Sequence, residues 1–113
     1  MLALAGIAWL LGLGGAEIAD EAEAHRIAEE ALAGFSAGEA FVSSDGRGAL
    51  VLGKSGSPAL LKVHGAQVAA RRLDRLHVES MPEGVRIGSG ERLFGDVLLR
   101  LPAESRDRLL TLV

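Results

Sequence analysis

Residues 48–73 read GALVLGKSGSPALLKVHGAQVAARRL, and this stretch decides the fold class. It holds three short apolar runs separated by the turn-forming sequences SGSP and HG. Apolar runs of about four to eight residues, bounded by Gly, Pro and Ser, are typical of strands, and close turns favour antiparallel pairing. The stretch therefore predicts three consecutive antiparallel strands at 48–53, 58–64 and 67–73.

The same pattern continues on both sides of this stretch. It predicts four more strands, near 40–43, 76–80, 85–89 and 94–101. Apolar and polar residues alternate along several of them, which indicates an antiparallel meander with one buried face. The run 68–73 changes face partway, so we expect a β-bulge there. Pro102 then opens a C-terminal helix that extends to Leu112.

The N-terminus has a different character, because residues 1–16 contain no charged side chain. The run LALAGIAWLLGLGGA at 2–16 is extended by Ile18 and Ala19. A membrane-spanning helix needs roughly 20 apolar residues, so we predict a single membrane-anchor helix over residues 1–19. Two alternatives remain: a buried core helix, and a signal peptide, although no basic residue precedes the apolar run.

Within the predicted anchor, Ala8, Gly12 and Ala16 would lie on one helix face, and small residues at this spacing allow helices to pack closely in lipid. A chance pattern in an Ala- and Gly-rich chain is the alternative. The chain is rich in Ala, Gly and Arg and poor in Lys and Asn, which is typical of GC-rich bacterial genomes, so we predict a single-pass protein of the bacterial inner membrane. Arg26 weakly favours a cytoplasmic C-terminal domain.

Residues 20–38 form an acidic neck between the anchor and the strands. The sequence DEAEAHRIAEEAL at 20–32 places its apolar residues on one side at a helical period and its charged residues on the other. We therefore predict an amphipathic helix that continues the anchor, with its acidic residues facing solvent. The third unit is then a small β domain at 39–113.

Charge and composition exclude several classes of function. The chain has no cysteine, so thiol chemistry and disulfides are excluded. A net charge of −3 makes nucleic acid an unexpected partner. His25, His64 and His77 lack metal-ligand spacing, and neither a G-x-S-x-G elbow nor a phosphate-binding loop is present. The sequence therefore predicts no catalytic residue, no metal and no cofactor.

One group of basic residues is a candidate binding patch. It comprises Lys62, Arg71, Arg72, Arg75 and Arg86. Such a patch could contact anionic lipid headgroups or a protein partner. The alternative is a solvated strand face with local ion pairs to nearby acidic residues.

Seven short antiparallel strands followed by a helix resemble the element order of a pleckstrin-homology-like barrel over residues 39–113. The whole chain also resembles uncharacterised small bacterial proteins that have one N-terminal membrane helix and a short β domain. Four segments show this second resemblance: RIAEEALAGF, SSDGRGALVLG, LLKVHGAQVAARRLD and SGERLFGDVLLRL. Neither resemblance implies a role for any individual residue.

These observations predict an α+β protein with an N-terminal helix, a meander or pleckstrin-homology-like barrel, and a C-terminal helix. The predicted function is a non-enzymatic, membrane-anchored interaction domain, serving as an accessory subunit of a membrane assembly. The alternative is a lipid- or small-ligand-binding module. The expected partners are the bilayer, through residues 1–19, and either another protein or a second copy of the chain.

Overall fold

The computed structural model describes residues 7–11, 17–54 and 57–112 of the chain. Eight strands and two helices lie within these ranges. The strands are β1 Ile7–Leu11, β2 Ala37–Val42, β3 Gly48–Gly53, β4 Ala59–His64, β5 Gln67–Arg72, β6 His77–Met81, β7 Gly84–Gly88 and β8 Asp96–Leu99. The helices are α1 Glu21–Ala31 and α2 Ala103–Leu112.

The strands form two antiparallel sheets. The first sheet has five strands in the order β1-β5-β4-β3-β2, and the second sheet has three in the order β6-β7-β8. From β2 to β5, and again from β6 to β8, each strand pairs with the next one along the chain, as short connections favour. β1 instead pairs with β5. The terminal strands are therefore β1 and β2 in the first sheet, and β6 and β8 in the second.

Helix α1 begins where the sequence supplies a cap. Asp20 Oδ1 accepts a hydrogen bond from the Glu23 amide at 2.9 Å, and Glu23 Oε1 accepts one from the Ala19 amide at 2.9 Å. These bonds satisfy amides that have no partner inside the helix. After the helix, Gly34 adopts a φ of +79°, which glycine tolerates without strain, and the chain turns toward β2.

One face of the first sheet is covered by α1. The buried helix residues Ala24, Ile27 and Ala28 come from the apolar side of the predicted amphipathic helix. They form a cluster with apolar side chains from the sheet, including Ala49, Val51, Ala59, Leu61, Val63, Val68 and Ala70. The helix is therefore held by tertiary packing of its apolar face.

The opposite face of the first sheet is covered by the second sheet and α2. Leu50 of β3 belongs to this second cluster, although its neighbours Ala49 and Val51 belong to the first. The other members are Phe41, Leu60, Ala69, Leu73, Val85, Ile87, Phe94, Val97, Leu99 and Leu109. The molecule thus has three layers, and burial of both sheet faces explains why β3 is apolar without alternation.

Strand β8 approaches its neighbours closely at two glycines, Gly48 in the first sheet and Gly84 on the adjacent strand of its own sheet. A Cβ on Gly48 would collide with Val97 Cγ1, and a Cβ on Gly84 would collide with the Leu99 carbonyl. Any larger residue at either position would push β8 away from its neighbours. Glycine is therefore required there by packing between strands.

The predicted N-terminal membrane helix is wrong. Residues 7–11, inside the proposed anchor, form strand β1, and α1 begins only at Glu21. Across the described residues, no helix combines the length and the apolar character needed to cross a bilayer. The location in a bacterial inner membrane, which depended on this helix, is corrected with it. Of the proposed helix-packing residues, Ala8 lies in β1, whereas Gly12 and Ala16 lie outside the described residues.

Two expectations about the strands also need correction. The seven predicted strands correspond to β2–β8 within a few residues, but they are divided between two sheets and do not form a single meander or barrel. The expected bulge in 68–73 is absent, because β5 pairs with β4 without a register shift. Ala69 and Ala70 point to two different apolar layers, so the apolar run needs no change of face. A register shift occurs instead in β2, between Ala37 and Ala40.

Candidate functional site

The predicted basic patch is dispersed by the fold. Lys62 Nζ donates to the Phe94 carbonyl at 2.7 Å, and the Arg71 guanidinium lies 3.1 Å from the Glu91 carboxylate. Both contacts reach from the first sheet to the loop 89–95, which joins β7 to β8. These two cations therefore fix a loop.

The other three members of the patch lie elsewhere. Arg72 stacks over the Phe35 ring, 5.7 Å from its centroid, and donates to the Ala33 carbonyl at 3.0 Å. Arg75 is exposed between β5 and β6, and Arg86 is part of the second sheet. The five cations do not form one surface.

The cleft beside Arg72 offers little to an anion. It has a volume of about 160 Å³, lies between the end of α1 and β3, and is lined by Lys54 and Arg72 among others. Arg72, however, donates to a carbonyl at the C-terminal end of α1, where the helix dipole favours cations and opposes anions. Only Lys54 remains to bind an added negative charge.

The edge of the first sheet at β2 is closed by side chains from α1. The Ser43 amide donates to the Gly48 carbonyl at 2.9 Å, and antiparallel alternation then turns the Ala40 amide away from β3. That outward amide donates to Glu21 Oε2 at 2.9 Å. At the far side of the register shift, the Ala37 amide donates to Glu29 Oε2 at 2.8 Å. The helix carboxylates thus occupy the places of a neighbouring strand's carbonyls.

Helix α2 adds a further contact at β2. The Arg108 guanidinium donates to both carboxylate oxygens of Glu39, at 2.9 and 3.1 Å. These hydrogen bonds hold the pKa of Glu39 below its usual value. A groove of about 350 Å³ follows this edge, and the Glu39–Arg108 pair forms part of its wall.

The β8 side of the second sheet is tied to the turn between β2 and β3. The buried Ser43 hydroxyl accepts from the Arg100 amide at 2.9 Å and donates to Asp45 Oδ1 at 2.7 Å. The Ser44 amide donates to the Arg100 carbonyl at 2.8 Å. Ser43 is therefore a connector between the two sheets.

The remaining edge of the second sheet, β6, is open. The two-residue turn Pro82-Glu83 makes Met81 and Gly84 the hydrogen-bonded pair beside the turn. Antiparallel alternation then turns the N–H and C=O groups of Val78 and Ser80 away from β7. Within the described residues, no hydrogen bond joins these groups to another part of the chain. They are available to an added strand.

A groove of about 310 Å³ lies beside this open edge. Its lining includes the exposed side chains of His77 and Glu79 on β6, with Arg86 and Gly88 on β7 and Asp96 on β8. A Cβ on Gly88 would lie 3.4 Å from His77 Cβ and 3.5 Å from Asp96 Oδ1. The absence of a side chain there opens the floor of the groove.

The groove and the edge are locally acidic. Glu79 accepts from Arg86 at 2.9 Å, and this hydrogen bond raises the pKa of Arg86. Asp96 forms no ion pair in the part of the chain that the structure describes, and Glu83 is exposed in the adjoining turn. Three carboxylates, from Glu79, Glu83 and Asp96, therefore lie near Arg86, and Arg106, which donates to the Met81 carbonyl, is a further cation beside the edge.

The loop 89–95 borders the same groove. The Ser89 hydroxyl accepts from the Glu91 amide at 3.0 Å, and the Gly95 amide donates to the Glu91 carbonyl at 2.8 Å. Its tip, Leu93, is 94% exposed. A loop that is fixed by hydrogen bonds thus presents one apolar side chain to solvent, and single exposed side chains of this kind are common on protein surfaces.

No metal site appears among residues 17–54 and 57–112, where no three His, Asp or Glu side chains are arranged so that they could hold a metal ion. Comparisons with protein-family models, with curated proteins and with solved structures find no match to this chain. The geometry of the chain itself therefore defines the candidate site. Its best-defined feature is β6, which sequence analysis predicted as a strand but not as a site. The turn Pro82-Glu83-Gly84 was the available signal, because it fixes which β6 amides face outward.

Proposed function

We propose that this chain is a non-enzymatic interaction domain that binds an extended segment of a partner protein along β6. The segment would add a fourth strand to the second sheet. Main-chain hydrogen bonds to Val78 and Ser80 would supply most of the affinity, as in other cases of strand addition.

The single observation that supports this proposal is the difference between the outward amides of β2 and β6. At β2 they are bonded to carboxylates of α1. At β6 the outward groups of Val78 and Ser80 have no partner among the described residues. An open edge of this kind is a template for pairing with another chain, and proteins commonly protect edges that have no such use.

A partner segment fits this edge better than a second copy of the chain. Antiparallel pairing of two β6 strands over their full length would place Glu79 directly opposite Glu79. Like charges directly opposite each other destabilise a strand pair. The short length of β6 and its central charge therefore act against self-association while leaving the backbone open to another sequence.

The experiment is a selection of random peptides displayed on phage against the full chain, followed by affinity measurement on the selected peptides. The key variant is Ser80→Pro, which removes one outward N–H group. Because this amide makes no bond inside the protein, proline should be tolerated there, as it is on edge strands. Ser80→Thr is the matched control, since it keeps the amide and favours a strand.

We expect selected peptides to bind the parent and Ser80→Thr at least about tenfold more tightly than Ser80→Pro. A tenfold change in affinity corresponds to the loss of roughly one or two hydrogen bonds. Amide NMR shifts on binding should centre on 77–81. Peptides that bind Ser80→Pro as tightly as the parent would overturn the proposal, as would failure to select any peptide. Light scattering would show whether a second copy of the chain occupies the edge instead, because the protein would then be a dimer.

A further inference from the structure

The side chain at the centre of the open edge is Glu79. It is 61% exposed, and its single ion pair in the described structure is with Arg86 on the β7 side. Its other side faces the position that an added strand would occupy. A carboxylate has several lone-pair positions, so Glu79 can accept from Arg86 and from a second cation together.

The geometry of strand addition places one residue of the partner segment next to Glu79. Because Val78 and Ser80 would form the hydrogen bonds to the added strand, Glu79 would lie in a non-hydrogen-bonded pair. Facing Cα atoms are then about 4.5 Å apart, the closer of the two antiparallel spacings. The residue opposite Glu79 is therefore the partner residue whose charge interacts most strongly with the Glu79 carboxylate.

We infer that the bound segment carries a lysine or arginine opposite Glu79, and this inference rests on the proposed function. The partner is then an extended, basic segment, and its cation would continue a row of alternating charge across the sheet, from Arg86 to Glu79 to the partner. Glu83 in the turn and Asp96 at the far side of the groove add to the negative potential that attracts such a segment.

The expected effect is modest, because the pair is exposed. An opposite-charge cross-strand pair contributes enough to tighten binding by about two- to fivefold. The same effect should decrease as salt is raised, since exposed charges are screened. An acidic residue at the same position should weaken binding by a similar factor.

The experiment uses peptides selected against the full chain. In each peptide, every lysine or arginine is replaced singly by glutamine, and affinities are measured for the parent, Glu79→Gln and Glu83→Gln. Glu83→Gln is the matched control, because it removes a nearby carboxylate that lies in the turn and outside the strand pairing. Asp96→Asn tests whether the cation lies in the groove instead.

We expect one peptide position at which glutamine weakens the affinity about two- to fivefold for the parent and for Glu83→Gln. At that position, glutamine should leave the affinity for Glu79→Gln unchanged. If no position shows this coupling to Glu79, or if the coupling is to Asp96, the inference is wrong. The proposed function would still stand in that case, provided that Ser80→Pro weakens binding at least about tenfold. If Ser80→Pro leaves binding intact, the proposed function itself is wrong.

Discussion

The strands β2 and β6 are both terminal strands, yet their outer edges differ. At β2, two outward amides donate to Glu29 and Glu21 at 2.8 and 2.9 Å, so helix α1 takes the place of a neighbouring strand. At β6, the outward N–H and C=O groups of Val78 and Ser80 form no hydrogen bond with the described part of the chain.

The difference shows that an edge is closed by the element beside it and not by the strand's own sequence. Helix α1 lies across the first sheet, and its acidic residues near β2 reach the strand's amides. Helix α2 instead reaches the β6–β7 turn, where Arg106 donates to the Met81 carbonyl at 2.7 Å. The turn is therefore fixed while the middle of β6 stays open.

Proline substitutions at inward and outward amides of β6 should differ most in their effect on the free energy of unfolding. Glu79→Pro removes an amide that pairs with β7 and should lower the free energy of unfolding by at least about 2 kcal/mol. Ser80→Pro removes an outward amide and should lower the free energy of unfolding by less than about 1 kcal/mol. Urea unfolding of the two variants measures this contrast, and equal losses would mean that the alternation assigned to β6 is wrong.

A smaller effect is expected from opening β2. Glu21→Ala and Glu29→Ala should each lower the free energy of unfolding by about 1 kcal/mol, because each leaves an edge amide without its acceptor. The double variant should also self-associate, because β2 then becomes a second open edge. Glu30→Ala is the control: its carboxylate contacts Arg26 at the helix surface, so its loss should cost under about 0.5 kcal/mol. A double variant that stays monomeric and is as stable as Glu30→Ala would contradict the role given to the two carboxylates.

The smallest effect concerns Asp45, in the turn that ties β8 to the first sheet. Burial raises its pKa, but hydrogen bonds from the Ser43 hydroxyl and the Arg47 amide, with the charge of Arg100, bring it below the ordinary value of 3.8. A carboxylate with a lowered pKa in the folded state stabilises the protein above its ordinary pKa, and this stabilisation is lost as the pH falls through the lower folded value.

Asp45→Asn should therefore be less stable than the parent near about pH 7, and the difference should shrink below the ordinary pKa. Urea unfolding at several pH values provides the test. A difference that grows as the pH falls would show that the hydrogen bonds do not favour the ionised form.

Much of the fold follows from local sequence. Alternation and turn residues locate seven strands, and the helical period of Ala24, Ile27 and Ala28 identifies the face that packs on the sheet. The N-terminal prediction is wrong for a physical reason. An apolar run such as IAWLL suits both a helix in lipid and a strand, and periodicity cannot distinguish them when no polar residue interrupts the run.

The turn indicates which β6 amides face outward, but that this edge stays unpaired could not be predicted from the sequence, for a related reason. Which strand becomes terminal depends on pairing between distant segments, such as β1 with β5. Nothing in the sequence of β6 indicates that its outer edge will have no neighbouring strand. Likewise, Arg71 and Arg72 are adjacent in sequence but point to opposite faces of β5, so a basic cluster in the sequence does not make a basic patch on the surface.

The most direct test of the contrast between the two edges is hydrogen exchange of individual backbone amides, followed by NMR on the full chain. We expect the amides of Ala37 and Ala40 to exchange at least about tenfold more slowly than those of Val78 and Ser80, after correction for intrinsic rates. If the Val78 and Ser80 amides were protected as strongly as those of Glu79 and Met81, the edge at β6 would be closed and the contrast with β2 would be wrong.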